Sequence, residues 1–249
     1  MQTNDPFANF GIEHLSSQSI NLFVSNLPLF IVRYLWEYKS PTNAAMLRGS
    51  VIDKAIGEFK SIKESQTDFK KLVNWHKSRG VEFDKDKVEK ELNNISNYLE
   101  LGIPHYKNLG KFKSYQKKVE LNHEDLPIPI IGYIDLEYEN CIRDIKTTAK
   151  TPKLTDQVSR QLAIYSTALD KPAFADYLYV AKTKQEVVTF EIQDVNDRIN
   201  EVYRIALAMM NLLQNNDINS LVDSCYPNFA DWMWDEGSIE VAKELWRIK

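Results

Sequence analysis

Residues 128–148 constrain the fold more than any other part of the sequence, and they read IPIIGYIDLEYENCIRDIKTT. Two apolar runs, rich in β-branched and aromatic residues, flank a short polar step at residues 139–140, which predicts a β-hairpin. The hairpin carries Asp135, Asp144 and Lys146 in this apolar setting. Because the burial of an unpaired charge is costly, these three residues require a physical reason.

The hydrophobic periodicity predicts helices on both sides of a central group of strands. Strands are predicted at 114–122, 128–139, 141–148, 174–182 and 186–192, and helices at 16–37, 44–61, 68–78, 86–102, 155–169 and 195–214. This order predicts an α/β (α+β) fold with a mixed central β-sheet flanked by helices. We expect a single domain over residues 1–249, with a mainly helical part at 1–110, a catalytic sheet core at 111–195 and C-terminal helices at 196–249.

Composition excludes several classes of protein. The chain has 249 residues, of which 43% are hydrophobic and 27% charged, as is usual for a globular protein. Its longest apolar stretches are interrupted by polar residues and Pro28, and two cysteines provide neither a disulfide framework nor a cysteine-rich metal site. We therefore expect a cytoplasmic protein without a membrane segment. The net charge of −4 leaves nucleic-acid binding open, since a local basic stripe suffices.

The spacing of the charged residues in the hairpin predicts a metal site. Asp144 and Lys146 are two residues apart, so on a strand they point to the same face, and Asp135 lies on the neighbouring strand. Two carboxylates suit Mg²⁺, which keeps several waters and can activate one of them against a phosphodiester. The adjacent lysine can orient or deprotonate that water, or stabilise developing negative charge.

Several motifs occur in an order that resembles a known family. The Asp-Ile-Lys motif that follows the first aspartate is typical of the PD-(D/E)XK nuclease superfamily, and the wider pattern resembles its RecB-type exonuclease branch. The stretches that carry the resemblance are LSSQSINLFVSNLPLFIVRYL, LRGSVIDKAIGEF, GYIDLEYENCIRDIKTTAK and QLAIY. They run from about residue 15 to residue 170 in the order of the family.

The resemblance implies roles for individual residues. Asp135 and Asp144 would bind the metal, the backbone carbonyl of Ile145 would complete its shell, and Lys146 would be catalytic. Gln161 and Tyr165, from the Gln-x-x-x-Tyr motif, would contribute to the active site and to DNA contact. Glu120 falls where relatives often carry a glutamate near the metal.

The sequence departs from the family pattern at two places. Counted from Gly49, the position of the family's histidine is occupied by Asp53, which could still bind a metal through oxygen, could mark the loss of a ligand, or could merely repel the acidic cluster. Many relatives also end in four cysteines that hold an iron–sulfur cluster, whereas the C-terminal region here has Cys225 among aromatic residues. We therefore expect no iron–sulfur cluster, because such a cluster needs four thiolates.

Each of these residues also has an ordinary structural interpretation. The acids and the lysine of the hairpin could form a salt bridge on the sheet, and Gln161 and Tyr165 could belong to a polar helix stripe. Asp53 and Glu120 could be surface carboxylates. Basic residues around the motif could form a rim that contacts DNA phosphates, or a solvated face: Arg48, Arg143, Lys150, Lys153 and Arg160.

The resemblance implies a Mg²⁺- or Mn²⁺-dependent DNA nuclease, most simply an exonuclease acting on DNA ends in recombination, repair or phage DNA processing. The expected partner is DNA, with a single-strand-annealing protein or a helicase as a further candidate, in the cytoplasm of the cell or of a phage host. Two alternatives are a non-catalytic module that binds DNA ends and a structure-specific endonuclease of the same superfamily.

Overall fold

The computed structural model describes residues 5–248, in which helices surround one mixed β-sheet. The strands are β1 (Ser114–Leu121), β2 (Ile130–Glu137), β3 (Ile142–Thr148), β4 (Ala173–Val180) and β5 (Gln185–Glu191). The helices are α1 (Ser17–Ser25), α2 (Leu27–Phe30), α3 (Ala44–Glu58), α4 (Ile62–Lys77), α5 (Lys85–Asn108), α6 (Asp156–Leu169), α7 (Val195–Asn215), α8 (Ile218–Ser224) and α9 (Glu236–Leu245). The predicted α+β class is confirmed.

The strands lie in the sheet in the order in which they occur in the chain. Neighbouring strands are antiparallel, except that β3 and β4 are parallel and α6 connects them. Parallel neighbours need such a crossover, whereas antiparallel neighbours can be joined by a tight turn. The turn between β2 and β3 is closed by the N–H of Tyr138, which donates to the carbonyl of Cys141 at 2.8 Å. The predicted hairpin is therefore confirmed.

Each face of the sheet is covered by its own apolar cluster. On one face, α1, α2, α6 and α7 contribute to a cluster that includes Leu29, Ile134, Ile164, Val202 and Met209. On the other face, α3, α4 and α5 contribute to a cluster that includes Ile52, Phe69, Tyr98, Leu136 and Ile145. Strand residues contribute to both clusters, as Ile134 of β2 does to the first and Leu136 of β2 to the second. The sheet is thus held from both sides.

The first long helix predicted from the sequence is divided. α1 ends at Ser25, and Asn26 caps α2 with its side chain, which accepts from the N–H of Leu29. From Ile31 to Leu35 the chain then forms a π-helical turn, in which the N–H of Trp36 donates to the carbonyl of Ile31 at 2.9 Å. Hydrophobic periodicity could not distinguish these turns from one continuous helix.

Two helices extend beyond their predicted bounds. α4 begins at Ile62 because Ser61 and Glu64 form a reciprocal capping box, a start signal that lies upstream of the predicted residue. α5 continues through Pro104 to Asn108, because the fully buried Tyr106 anchors its last turn in the core. No helix within residues 5–248 has both the length and the apolarity needed to cross a bilayer.

Glu137 is a buried acid whose two carboxylate oxygens both accept hydrogen bonds. Lys171 Nζ lies 2.8 Å from its Oε1, and Lys117 Nζ and Ser114 Oγ lie 2.9 and 2.7 Å from its Oε2. Burial by itself would raise the pKa of Glu137, but these three donors lower it to about 2. The group therefore stabilises the junction of β1, β2 and the start of β4.

We predict that Glu137→Gln lowers the free energy of unfolding at pH 7 by about 2–3 kcal/mol, because it removes a carboxylate whose ionised form the fold favours. The native pKa lies below the usual value of 4.5. The difference between wild type and variant should therefore be full above about pH 5 and vanish as pH falls towards 2. Denaturant unfolding at several pH values measures it.

Glu120→Gln is the matched control on β1, since the Glu120 side chain is 47% exposed and its ion pair with Lys118 is 4.0 Å long. Exposed pairs of this kind contribute about 0–1 kcal/mol. Equal effects of the two substitutions would contradict the assignment of Glu137 as the stabilising acid.

Candidate active site

Strands β2 and β3 separate just beyond their turn, and Asp135 lies at the point of separation. The two strands pair at Glu137–Ile142 and Leu136–Arg143, and Asp135 is the next residue along β2. Its Oδ2 accepts from the backbone N–H of Ile145 at 2.8 Å. The Asp135 side chain thus accepts the hydrogen bond from Ile145 that a backbone carbonyl of β2 would accept in a regular ladder. The separation of the strands places the carboxylate between them.

Asp144 and Lys146 project from the same face of β3, as their spacing predicts. Lys146 Nζ lies 2.7 Å from Asp144 Oδ2 and donates to Gln161 Oε1 at 2.9 Å. The Asp144 side chain is only 2% exposed, and within the described residues its Oδ2 has the Lys146 ion pair but no well-directed hydrogen bond. Asp144 therefore retains capacity to bind a further cation.

Helix α6 positions the glutamine and the tyrosine of the Gln-x-x-x-Tyr motif. Thr155 caps the helix by accepting from the N–H of Val158, which fixes where α6 begins after β3. One turn apart on α6, Gln161 Nε2 donates to Tyr165 Oη at 2.9 Å. With the Lys146–Gln161 bond, this forms a continuous chain from the lysine ammonium to the phenol.

Asp53, on α3, is near enough to the two hairpin acids for their charges to act on it. Burial raises its pKa well above the usual value, and Asp135 and then Asp144 raise it further, with only Lys146 opposing them. Asp135 behaves in the same way, because burial and Asp144 raise its pKa more than the Ile145 N–H, Lys146 and Gln116 lower it. Like charges that raise each other's pKa lie close together. The structure therefore brings Asp53 to the site where the family's histidine was expected.

These carboxylates fit a divalent cation. The cluster places Lys146 as a single cation against Asp53, Asp135 and Asp144, two of which have a raised pKa. Within residues 5–248, no group of three or more His, Cys, Asp or Glu side chains could by itself hold a metal ion. Mg²⁺ does not require one, since it is usually held by one or two carboxylates and several waters. Asp135 and Asp144 would hold it, with Asp53 and the Ile145 carbonyl as further oxygen donors.

Three predicted peripheral residues have other surroundings. Glu120 is exposed on β1 and its recorded charged partner is Lys118, so it lies outside the group formed by Asp53, Asp135 and Asp144. Lys150 and Lys153 are exposed in the segment between β3 and α6, directly after the strand that carries Asp144 and Lys146. The two lysines are placed where a phosphate contact remains feasible.

The predicted arginines are engaged within the protein. Arg48 forms an ion pair with Glu91, donates to Thr147 Oγ1 at 3.1 Å and stacks on Tyr98. Arg160 is 7% exposed, with its guanidinium bonded to Glu201 and Asn21.

Arg143 makes a bidentate contact with the buried Asp176 at 2.8 and 2.9 Å. The arginines therefore brace helices and strands around the site, a role that sequence position alone did not reveal.

Gln116 is a site residue that the sequence did not indicate. Its Nε2 donates to Asp135 Oδ1 at 2.8 Å. In the sequence, Gln116 is one polar residue of an alternating strand. What distinguishes it is its left-handed φ of 51°, which only the folded chain displays.

We predict that Asp53→Asn raises the free energy of unfolding in EDTA at pH 8 by about 1–3 kcal/mol, because it removes one of three mutually repelling carboxylates. Mg²⁺ should then stabilise the wild type more than the variant. Thermal or denaturant unfolding with and without the ion gives both quantities. Glu58→Gln, an exposed acid on the same helix paired with Lys60 at 3.2 Å, serves as the control. A destabilised Asp53→Asn protein in EDTA would contradict the repulsion.

We also predict that Gly132→Ala lowers the free energy of unfolding by about 1–3 kcal/mol through overpacking. A Cβ at Gly132 would lie 2.5 Å from Tyr165 Cε1 and 3.1 Å from its Cδ1, so the ring would have to move. Gly49→Ala in α3 is the control, since its Cβ would meet nothing within 4 Å and alanine favours a helix. If both substitutions have the same effect in unfolding experiments, Gly132 is not what admits the Tyr165 ring.

Comparison with known proteins gives a likeness of structure. No protein-family model matches the chain, and no curated protein does. The crystal structure of a Eubacterium rectale protein named "Putative exonuclease" superimposes with a TM-score of 0.56 at 14% identity, covering 86% of this chain and 85% of that chain. The crystal structure of SSO0001 covers 84% and 89% at 14% identity, but its TM-score of 0.36 is too low to carry an argument. The chain therefore shares its overall fold with the first of these proteins.

Proposed function

We propose that this chain is a Mg²⁺- or Mn²⁺-dependent deoxyribonuclease, an exonuclease that hydrolyses phosphodiester bonds at DNA ends. The observation that carries the proposal is the convergence of Asp135, Asp144 and Lys146, with Asp53 nearby, in a cluster where one lysine stands against three acids. The motif order of the PD-(D/E)XK superfamily and the nuclease-like fold support it. Perturbed acids beside a lysine are typical of catalytic sites.

A divalent cation bound by Asp135 and Asp144 would polarise the phosphodiester and lower the pKa of a coordinated water. The residues of the chain then have distinct tasks. Lys146, held between Asp144 and Gln161, would orient the attacking water and offset the negative charge that develops on the phosphate oxygens. The water oxygen would attack phosphorus in line with the leaving oxygen and lose a proton to solvent. The bond from phosphorus to the leaving oxygen would break, and that oxygen would take up a proton from solvent.

Gln161 and Tyr165 would fix the lysine. The bonds from Lys146 to Gln161 and from Gln161 to Tyr165 leave the ammonium little freedom to rotate away from the acids. Such preorganisation lowers a barrier because the dipoles are in place before the charge develops. Lys150 and Lys153, exposed after β3, would contact the phosphates that flank the reacting one.

The biological setting of this activity would be DNA recombination, repair or phage DNA processing, as the RecB-type resemblance implies. The nuclease would act alone or beside a single-strand-annealing protein or a helicase, in the cytoplasm. Glu120 is not part of the proposed metal shell, since its exposed side chain is directed to Lys118.

We predict that Lys146→Met lowers the rate of DNA cleavage at saturating Mg²⁺ by about 100-fold or more, because the developing charge loses its nearest cation. The assay follows product lengths over time from duplex and single-stranded DNA labelled at either end, with Mg²⁺, Mn²⁺ or EDTA. Lys118→Met removes an exposed cation from β1 and should stay within a few-fold of wild type.

The outcomes separate the alternatives. Binding without cleavage in Mg²⁺ and in Mn²⁺ would identify a non-catalytic module for DNA ends and exclude the nuclease. Cutting of closed circular DNA would identify an endonuclease of the same superfamily. Cleavage that persists unchanged in Lys146→Met would refute the role of the lysine while leaving metal-dependent hydrolysis in place.

A further inference from the structure

Gln116 combines an unusual backbone with a contact to an active-site acid. Its φ is 51°, in the left-handed region, although it lies inside strand β1. Its neighbours keep the antiparallel register, since Tyr115 pairs with Leu136 and Lys117 pairs with Ile134. Gln116 itself does not form a ladder pair with β2. The distortion is therefore limited to one residue, opposite Asp135.

The left-handed conformation is unfavourable for a residue with a Cβ, and glycine would adopt it without strain. Residues held in such conformations persist where the surrounding structure demands them, and they occur preferentially at functional sites. The register places Gln116 directly opposite Asp135 across β1 and β2, so the two side chains are neighbours on the sheet. The left-handed residue therefore lies at the contact with the acid.

The contact completes the orientation of the Asp135 carboxylate. Gln116 Nε2 donates to Oδ1 at 2.8 Å, and the Ile145 N–H donates to Oδ2 at 2.8 Å. Each oxygen therefore has one donor, from β1 on one side and from β3 on the other. Two donors in fixed positions define the plane of the carboxylate, and the remaining lone pairs stay available.

The chemical type of the donor is also significant. An amide donates a hydrogen bond without adding charge, so Asp135 keeps its full negative charge for a cation. A lysine at this position would neutralise the acid, and a glutamate would add a further carboxylate to a site in which Asp53, Asp135 and Asp144 already repel one another. A neutral donor orients the acid and leaves its affinity for a metal intact.

We propose that Gln116 is a positioning residue, which uses a strained backbone to orient the Asp135 carboxylate for a divalent cation. The hydrogen-bonding part of this proposal concerns the protein alone, and the part about the cation rests on the proposed function. Mutation of a residue that hydrogen-bonds to a metal-binding carboxylate typically lowers metal affinity or activity by about 10–100-fold.

The first experiment measures the contact without metal. Gln116→Gly removes the side chain and relieves the backbone strain, so the midpoint of thermal unfolding in EDTA should stay the same or rise. A double-mutant cycle with Asp135→Ala should then show non-additive effects on unfolding. Asp170→Gly, at an exposed left-handed residue that ends α6, relieves the same kind of strain away from the site and should be additive with Asp135→Ala. Additivity for Gln116→Gly as well would overturn the contact.

The second experiment measures the cation. Calorimetric titration of the metal-free protein with Mn²⁺ should show that Gln116→Gly binds the ion at least about tenfold more weakly than wild type. Asp170→Gly should bind it with wild-type affinity. The Mn²⁺ concentration for half-maximal DNA cleavage should rise by a similar factor, and the rate at saturating Mn²⁺ should recover in large part. Wild-type affinity in Gln116→Gly would overturn the positioning role.

The two experiments separate this inference from the proposed function. A wild-type protein that binds neither Mn²⁺ nor Mg²⁺ would overturn the proposed function together with the cation part of the inference. The coupling between Gln116 and Asp135 in EDTA would still decide the hydrogen-bonding part. Metal binding and cleavage that are normal in wild type and unchanged in Gln116→Gly would overturn the inference alone.

Discussion

The bond from the Ile145 N–H to the Asp135 carboxylate is the interaction on which the site depends. It lies where the β2–β3 ladder stops, one residue beyond the Leu136–Arg143 pair. Buried backbone donors require a partner, and here an aspartate side chain supplies it in place of a carbonyl. Because the Asp135 side chain takes the place of a carbonyl, the strands can diverge while the Ile145 N–H keeps a hydrogen-bond acceptor. The divergence brings the acid of β2 beside the acid and the lysine of β3.

Four of the buried or half-buried acids fall into two groups that differ in the direction of their pKa shifts. Burial alone would raise the pKa of Glu137 and of Asp176, but the first is surrounded by two lysines and a serine, and the second by His105, Arg143 and Thr189. In both, the partners hold the pKa below its usual value. Asp53 and Asp135 have the opposite shift, since burial and like charge raise their pKa. The partners of Glu137 and Asp176 outweigh the effect of burial, whereas the partners of Asp53 and Asp135 do not.

The motifs of the site lie close together because of the crossover between β3 and β4. α6 connects these parallel strands and packs on the face from which Lys146 projects, so its Gln161 reaches the lysine. On the other side of the site, α3 brings Asp53 to the same acids. Arg143 and Asp176 bond on adjacent strands, next to the register pair of Ile145 and Asp176, and stiffen the strand that carries Asp144 and Lys146. Rigid support of this kind is what an active site needs to hold its charged groups in place.

The sequence by itself determined the hairpin, the shared face of Asp144 and Lys146, the order of helices and strands, and the Gln-x-x-x-Tyr spacing. These are local features, since strand alternation and helical periodicity depend on residues close together in the chain. Only the tertiary structure decided which side chains meet. Whether Asp53 lies near the acids, whether Arg160 is occupied by Glu201, and whether Gln116 bonds to Asp135 all depend on contacts between distant segments. Periodicity carries no information about such contacts, because they arise from how helices and strands pack against one another.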